Sequence, residues 1–251
     1  PKNFEKNILK KKIIKVDRFS KHLILKFEDN SNLMIHLGMS GTIHLINKLK
    51  KKRSITNTSF YHSPVLPKKH NHVEMNIGEF KLIYNDPRRF GYFSYFKDNL
   101  QLNNNFKKYG PEPFNKLFNK DYIFKYFKNK KKNIKNFLID QSFVSGIGNI
   151  YASEILFLCK ILPSKEVRFL TSNECRKISF FSKIVLRRAI DQGGSSIRDF
   201  KNISGSKGSF QKNFNVYQRE NKKCLKYRCK GRISKIFISN RSSFFCNLCQ
   251  K

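Results

Sequence analysis

The chain has 251 residues, with 52 Lys+Arg against 17 Asp+Glu and a formal net charge of +35. Its 39% hydrophobic content, including 25 Phe, is enough for a core and excludes wholesale disorder. No apolar run reaches the ~18–20 residues a membrane span needs, because Lys160 breaks the best stretch, Ile155–Leu162. The opening, Pro1-Lys2-Asn3-Phe4-Glu5, has no apolar segment behind a basic start and is not a secretory signal. A soluble, cytoplasmic protein without membrane contact is expected. A positive charge of this size repels itself unless a polyanion is usually close, so nucleic acid is the leading partner, although AT-rich codons also favour Lys, Asn, Ile and Phe.

From Lys12 to about Tyr95, short alternating apolar segments broken by Gly, Asn and Asp predict antiparallel strands folded as a β-sandwich. Leu23, Leu25 and Phe27 alternate with His22, Ile24 and Lys26, and Glu28-Asp29-Asn30 supplies a turn before Leu33–Leu37. Met75 and Ile77, then Phe80 and Leu82, flank a turn at Gly78-Glu79. The polar stretch Asn47–Pro67 has no period and reads as an exposed loop insertion. Gly110-Pro111-Glu112-Pro113 predicts an extended linker.

Beyond it the period becomes helical. Asp121–Lys130 places Tyr122, Ile123, Tyr126 and Phe127 on one face; Ile150–Cys159 is a second helix; Asn173–Gln192 is a third, with Ile178, Phe181, Ile184 and Val185 inward and Gly193-Gly194 at its end. The last segment, Cys224–Lys251, is too small to hold a core and needs a staple. Cys224, Cys229, Cys246 and Cys249 form C-x4-C-x16-C-x2-C. Four thiolates from two knuckles at the ends of a hairpin, Ile233–Ser239 and Ser243–Phe245, suit one structural Zn²⁺ better than disulfides in an intracellular chain. Cys159 and Cys175, on helices, read as small buried hydrophobes.

Three glycine-bearing turns carry further candidates. Gly146-Ile147-Gly148-Asn149 precedes a helix, whose N-terminal N–H groups and dipole suit a phosphate, although an ordinary turn uses the same residues. Asp86-Pro87-Arg88-Arg89-Phe90-Gly91 places two guanidinium groups beside an aromatic ring, fit for phosphates and for wedging between bases, or for a plain surface turn. His36-Leu37-Gly38-Met39-Ser40-Gly41 exposes a methionine, which more often packs than acts.

Taken together, HLGMSG (36–41), KHNH (69–72), NDPRRFG (85–91), GPEP (110–113), DQSFVSGIGNIYASE (140–154), QGGSSIRDF (192–200) and NRSSFFCNLCQK (240–251) resemble formamidopyrimidine-DNA glycosylase. The endonuclease VIII group shares the architecture but fewer of these strings. The resemblance implies an α+β chain of three parts: an antiparallel β-sandwich over 1–109, a helix-two-turns-helix domain over 110–205, and the end of a lesion-covering loop with a zinc finger over 206–251. It implies a monomer acting on double-stranded DNA that contains oxidised or abasic sites. The reaction would be excision of oxidised purines such as 8-oxoguanine, then strand cleavage by β,δ-elimination. The alternative is a DNA-binding remnant without catalysis.

Carried over by motif, the β-elimination lysine is Lys21 and the δ-elimination arginine is Arg241. Met39, Arg88 and Phe90 would fill the hole left by the flipped nucleotide. His70, Arg88, Lys132 and Asn149 would contact DNA. The loop 202–211 would cover the everted base, with Ser209 where the family has a Tyr. The family opens with Pro-Glu, whose terminal amine attacks the sugar, because a terminal amine keeps a usable neutral fraction at pH 7. Here Lys2 follows Pro1, and Pro1 lies too close to Lys21. The expectation is therefore a chain without the family's catalytic start: a fragment of an active enzyme, a decayed form, or one in which Pro1 is an improvised nucleophile.

Overall fold

The computed structural model describes residues 3–48, 66–195 and 209–251. They fall into two compact units, Pro1–Phe106 with Gly193–Gln211, and Lys107–Gln192 with Lys212–Lys251.

The first unit opens with a short helix, α1 (Phe4–Ile8), followed by β1 (Ile13–Phe19), β2 (His22–Phe27), β3 (Asn32–His36), β4 (Thr42–Asn47), β5 (Asn71–Ile77), β6 (Phe80–Asn85), β7 (Tyr92–Phe96) and α2 (Asn99–Phe106). The strands form two antiparallel sheets, ordered β1-β2-β3-β7 and β4-β6-β5. Leu25, Phe27, Leu33 and Ile35 from one sheet pack against Ile43 and Met75 from the other, which makes the core of the expected sandwich.

The strict alternation read for β2 does not hold, since both Ile24 and Leu25 are buried. The helix α2 covers the outer face, where Leu102 and Phe106 close over Ile24, Met34 and Phe19. Its sequence, NLQLNNNF, is half Asn and carries little helical period, so it gave no signal. The loop expected from Asn47 begins one residue later, because Asn47 pairs with Phe80 at the end of β4. Most of that loop lies outside the described residues.

The second unit contains α3 (Lys120–Phe127), α4 (Ile134–Ile139), α5 (Asn149–Cys159), α6 (Ser172–Asp191) and a hairpin of β8 (Ile233–Ile238) and β9 (Arg241–Cys246). Local chemistry sets the helix starts. Asn119 and Asn133 cap α3 and α4, each side chain accepting from the backbone N–H three positions on, and Thr171 with Glu174 makes a reciprocal capping box on α6. The centre is α5, buried from Ala152 through Phe157 and again at Cys159. Phe118, Tyr122, Tyr126, Phe127, Phe137 and Phe143 form a cluster of touching rings in this unit, which is where part of the phenylalanine goes.

GPEP is not a free linker. The Gly110 N–H donates to the Gln141 carbonyl at 2.8 Å, Ser145 N–H donates to Pro111 O at 3.1 Å, and a Cβ on Gly110 would lie 2.2 Å from Phe143 O. The glycine is there to let two chain segments touch. Among the described residues no helix is long and apolar enough to cross a membrane. The helix α4 was also missed, being a single six-residue segment.

Candidate nucleic-acid interface and metal centre

In the first unit, three of the singled-out strings converge on one carboxylate. Asp86 is fully buried. Its Oδ1 accepts from the Ser40 hydroxyl and from Arg88 N–H, and its Oδ2 accepts from the Tyr84 hydroxyl at 2.8 Å and Gly91 N–H at 3.0 Å. Its backbone N–H donates to His70 O, and His72 Nε2 donates to its carbonyl at 2.8 Å. Burial by itself would raise the carboxyl pKa, but the Ser40, Gly91, Tyr84 and Arg88 donors outweigh it and hold it below the usual range.

The turns around Asp86 cross at backbone contact. A Cβ on Gly38 would stand 2.6 Å from Gly91 N, and one on Gly91 would meet Tyr84 Oη at 1.7 Å. Only glycine permits that crossing, and Gly38 also has φ +70°. From the crossing, Met39 and Phe90 project with 56% and 54% of their surface exposed, and the Arg88 guanidinium lies 4.8 Å from the Phe90 ring centroid. An exposed methionine and phenylalanine beside an arginine, on turns this tightly held, have the chemistry that wedging between bases requires.

Lys21 occupies the exposed two-residue turn between β1 and β2, where Ser20 takes φ 54°. Beside it, His22, His36 and Tyr92 stand at one register across β2, β3 and β7, with His36 stacked on Tyr92 at 5.2 Å and His22 Nε2 3.0 Å from the Tyr92 hydroxyl. Burial, then the Lys21 charge, lowers the His36 pKa. Burial, with the neighbouring Lys69, likewise lowers that of His70.

In the second unit, α5 follows Gly148, an N-cap with no side chain to accept from the first N–H groups of the helix. Asn149 Nδ2 donates to the Ser242 carbonyl at 3.0 Å, which ties the helix start to β9 beside Arg241. Arg241 is exposed at the first position of β9, after a tight turn in which Ser239 and Asn240 both have positive φ. The expected second strand thus begins at Arg241 instead of Ser243. Lys132 is exposed just before α4, on the rim of a small cavity of about 210 Å³ with Asn136 and Ser239.

The four C-terminal cysteines form a cluster able to bind a metal ion, their Sγ atoms all within 4.8 Å of one another. Cys224 and Cys249 are 3.9 Å apart, and Cys229 and Cys246 are 3.7 Å apart. A tetrahedral ion with ~2.3 Å metal–sulfur bonds requires about 3.8 Å. The long C-x4-C knuckle closes because Arg228 adopts φ 58°, and N–H groups of Lys226 and Gly231 point at the Cys224 and Cys229 sulfurs. Cys159 and Cys175 are buried on α5 and α6 away from this cluster, and burial raises both thiols.

Comparison with known proteins agrees with this arrangement. The model of the formamidopyrimidine-DNA glycosylase N-terminal domain matches residues 1–93, and that of the family's H2TH domain matches residues 109–201. The chain belongs to the formamidopyrimidine-DNA glycosylase family. A glycosylase of that name from Hydrogenovibrio crunogenus is 36% identical over 95% of this chain and 79% of its own length, and one from Haemophilus influenzae is 39% identical over 96% and 82%. A solved complex between the Lactococcus lactis Fpg and abasic-site DNA superposes with a TM-score of 0.85 at 33% identity, covering all of this chain and 86% of that one. A structure of MutM with DNA containing carbocyclic 8-oxo-G gives 0.84, also at 33% identity.

Within this family member, the residues expected to act group by unit: Lys21, Met39, His70, Arg88 and Phe90 in the first, Lys132, Asn149, Arg241 and the cysteines in the second. The loop expected to cover the everted base lies outside the described residues except for 209–211, as do Pro1 and Lys2. Sequence reasoning passed over Asp86, His36 and Lys135. The first two stood inside quoted strings, but only the fold shows that they touch their neighbours.

Proposed function

We propose that this protein is a base-excision DNA glycosylase that removes oxidised purines, 8-oxoguanine and formamidopyrimidines, and then cleaves the strand at the abasic site. The observation that carries the reading is the wedge of Met39, Arg88 and Phe90 held up by the buried Asp86 crossing. An everted nucleotide leaves a hole in the stack, and an exposed thioether, a guanidinium and a ring are groups that can fill it. His70, Lys132 and Asn149, with the uncapped start of α5, would take backbone phosphates.

An amine bonded to sugar C1′ as a Schiff base makes the C2′ hydrogens acidic. Loss of one breaks the C3′–O3′ bond, with Lys21 as the proton-handling group, and a second elimination breaks C5′–O5′, with Arg241 in that role. Zn²⁺ is the ion that best suits four thiolates at tetrahedral spacing, and it would hold the β8–β9 hairpin that carries Arg241. The protein would work as a monomer.

Duplex DNA with one 8-oxoguanine or one abasic site tests this reading. The protein should cut at the lesion, and borohydride should trap a covalent protein–DNA species. Lesion-selective binding without cutting or trapping would favour the non-catalytic alternative. No preference for lesion over intact duplex would overturn both.

A further inference from the structure

Lys135 is a lysine with no exposed surface. It lies on α4, and its Nζ donates to Ser153 Oγ on α5 at 3.0 Å and to Ser243 Oγ on β9 at 3.1 Å. Among the described residues it has no carboxylate partner. Burying an amine this way is costly, and an apolar side chain of the same length would pack there without the desolvation penalty. The strain shows in its acidity: burial, with the Arg241 charge behind it, pushes Lys135 down to about 7.

What the lysine holds is specific. Ser153 Oγ donates onward to the Asn149 carbonyl at 3.2 Å, and Ser243 Oγ donates to the Arg241 carbonyl at 3.4 Å. Asn149 Nδ2 closes the ring on Ser242 O. One buried amine therefore reaches, through two hydroxyls, the backbones of Asn149, assigned to phosphate binding, and Arg241, assigned to δ-elimination.

We propose that Lys135 is a positioning residue that keeps the phosphate-binding start of α5 and the Arg241 strand in a single register through Ser153 and Ser243. The proposal rests on the roles given above to Asn149 and Arg241. The two hydroxyls carry separable parts of it: Ser153 serves the phosphate contact, and Ser243 serves the second elimination.

The test uses Lys135→Met, which conserves volume, with Ser153→Ala and Ser243→Ala in the full protein. Each is checked for zinc content and melting temperature. Two quantities are then read: the salt dependence of affinity for a duplex with a stable abasic analogue, and the ratio of δ- to β-elimination product on a preformed abasic site. Ser153→Ala should reduce the salt slope by about one, the value of one lost phosphate contact, and leave the product ratio near wild type. Ser243→Ala should lower the product ratio, on the order of tenfold, and leave the slope. Lys135→Met should do both.

A folded, zinc-loaded Lys135→Met protein that matches wild type in both readouts overturns the proposal. So does an equal loss of both elimination products, which would mark a general structural defect. Should Lys135→Met fail to fold, the two serine variants decide by the same split. If wild-type protein leaves abasic DNA uncut, the functional reading has failed, and the salt-slope arm still decides whether Lys135 and Ser153 position the phosphate contact.

Discussion

Replacing Asp86 with Asn keeps the shape and removes half of the acceptors. The carboxylate takes four donors: the Ser40 hydroxyl and Arg88 N–H on Oδ1, the Tyr84 hydroxyl and Gly91 N–H on Oδ2. An amide has one carbonyl for two of them and turns an NH₂ toward the others. The Tyr84 hydroxyl has a second acceptor in Leu37 O at 3.2 Å, so it can rotate away. Gly91 N–H has none among the described residues and is stranded. One orphaned N–H costs roughly 1–3 kcal/mol, and weakening two charge-assisted bonds to neutral ones costs about 1 kcal/mol each, a total of about 3–5 kcal/mol.

Because the two units need not unfold together, the loss is best read by native-state hydrogen exchange of β6 and β7 amides. The chain has no Trp for a fluorescence alternative. The carboxyl pKa is depressed in the folded protein, so the difference between wild type and Asp86→Asn should be complete above the unfolded value near 4 and shrink as pH falls through the folded value. Affinity for lesion duplex should fall with it, since Met39, Arg88 and Phe90 lose their support. A stability loss below about 1 kcal/mol, or one that persists unchanged in acid, would refute the account of four satisfied donors.

Other expectations follow from the same reading. Arg88→Ala should weaken lesion-duplex binding by ~1–3 kcal/mol with little change in stability, and an effect within error in a titration would return Arg88 to an ordinary surface turn. Cys246→Ser, or exhaustive chelation, should release the metal, melt the β8–β9 hairpin and lower DNA affinity; circular dichroism and a metal assay read both, and unchanged affinity after complete removal would contradict the role given to the ion. His44 is buried on β4, and desolvation lowers it to about 4 from an ordinary 6.5. The unfolded chain therefore binds its proton first as pH falls, so stability of the first unit should drop between those two values, by about 3 kcal/mol. His44→Gln should flatten that slope in urea titrations at pH 4 and 7, and an unchanged slope would show the ring is not desolvated.

Much of this protein could be read in one dimension. The β5–β6 hairpin declared itself through Met75, Ile77, Phe80 and Leu82 around Gly78-Glu79, because a half-buried strand has period two and a turn needs its glycine. The helices α3 and α6 did so through apolar spacing, with Gly193-Gly194 ending α6, and the cysteine spacing foretold the cluster, since chelation constrains local sequence. The motif strings carried the family. What the strings could not carry was adjacency. That Ser40 and Gly91 meet on Asp86, and that α2 buries the outer face of β2, depends on segments distant in the chain arriving at one point. Lys135 shows the limit most plainly. In sequence it is one of 52 basic residues behind a net charge of +35; folded, it is buried with no counter-charge among the described residues, bonded to two serines that lead to Asn149 and Arg241. Composition decided that the chain would seek a polyanion. Only tertiary packing, by choosing which amine loses its water, decided which lysine would hold the site together instead of facing the DNA.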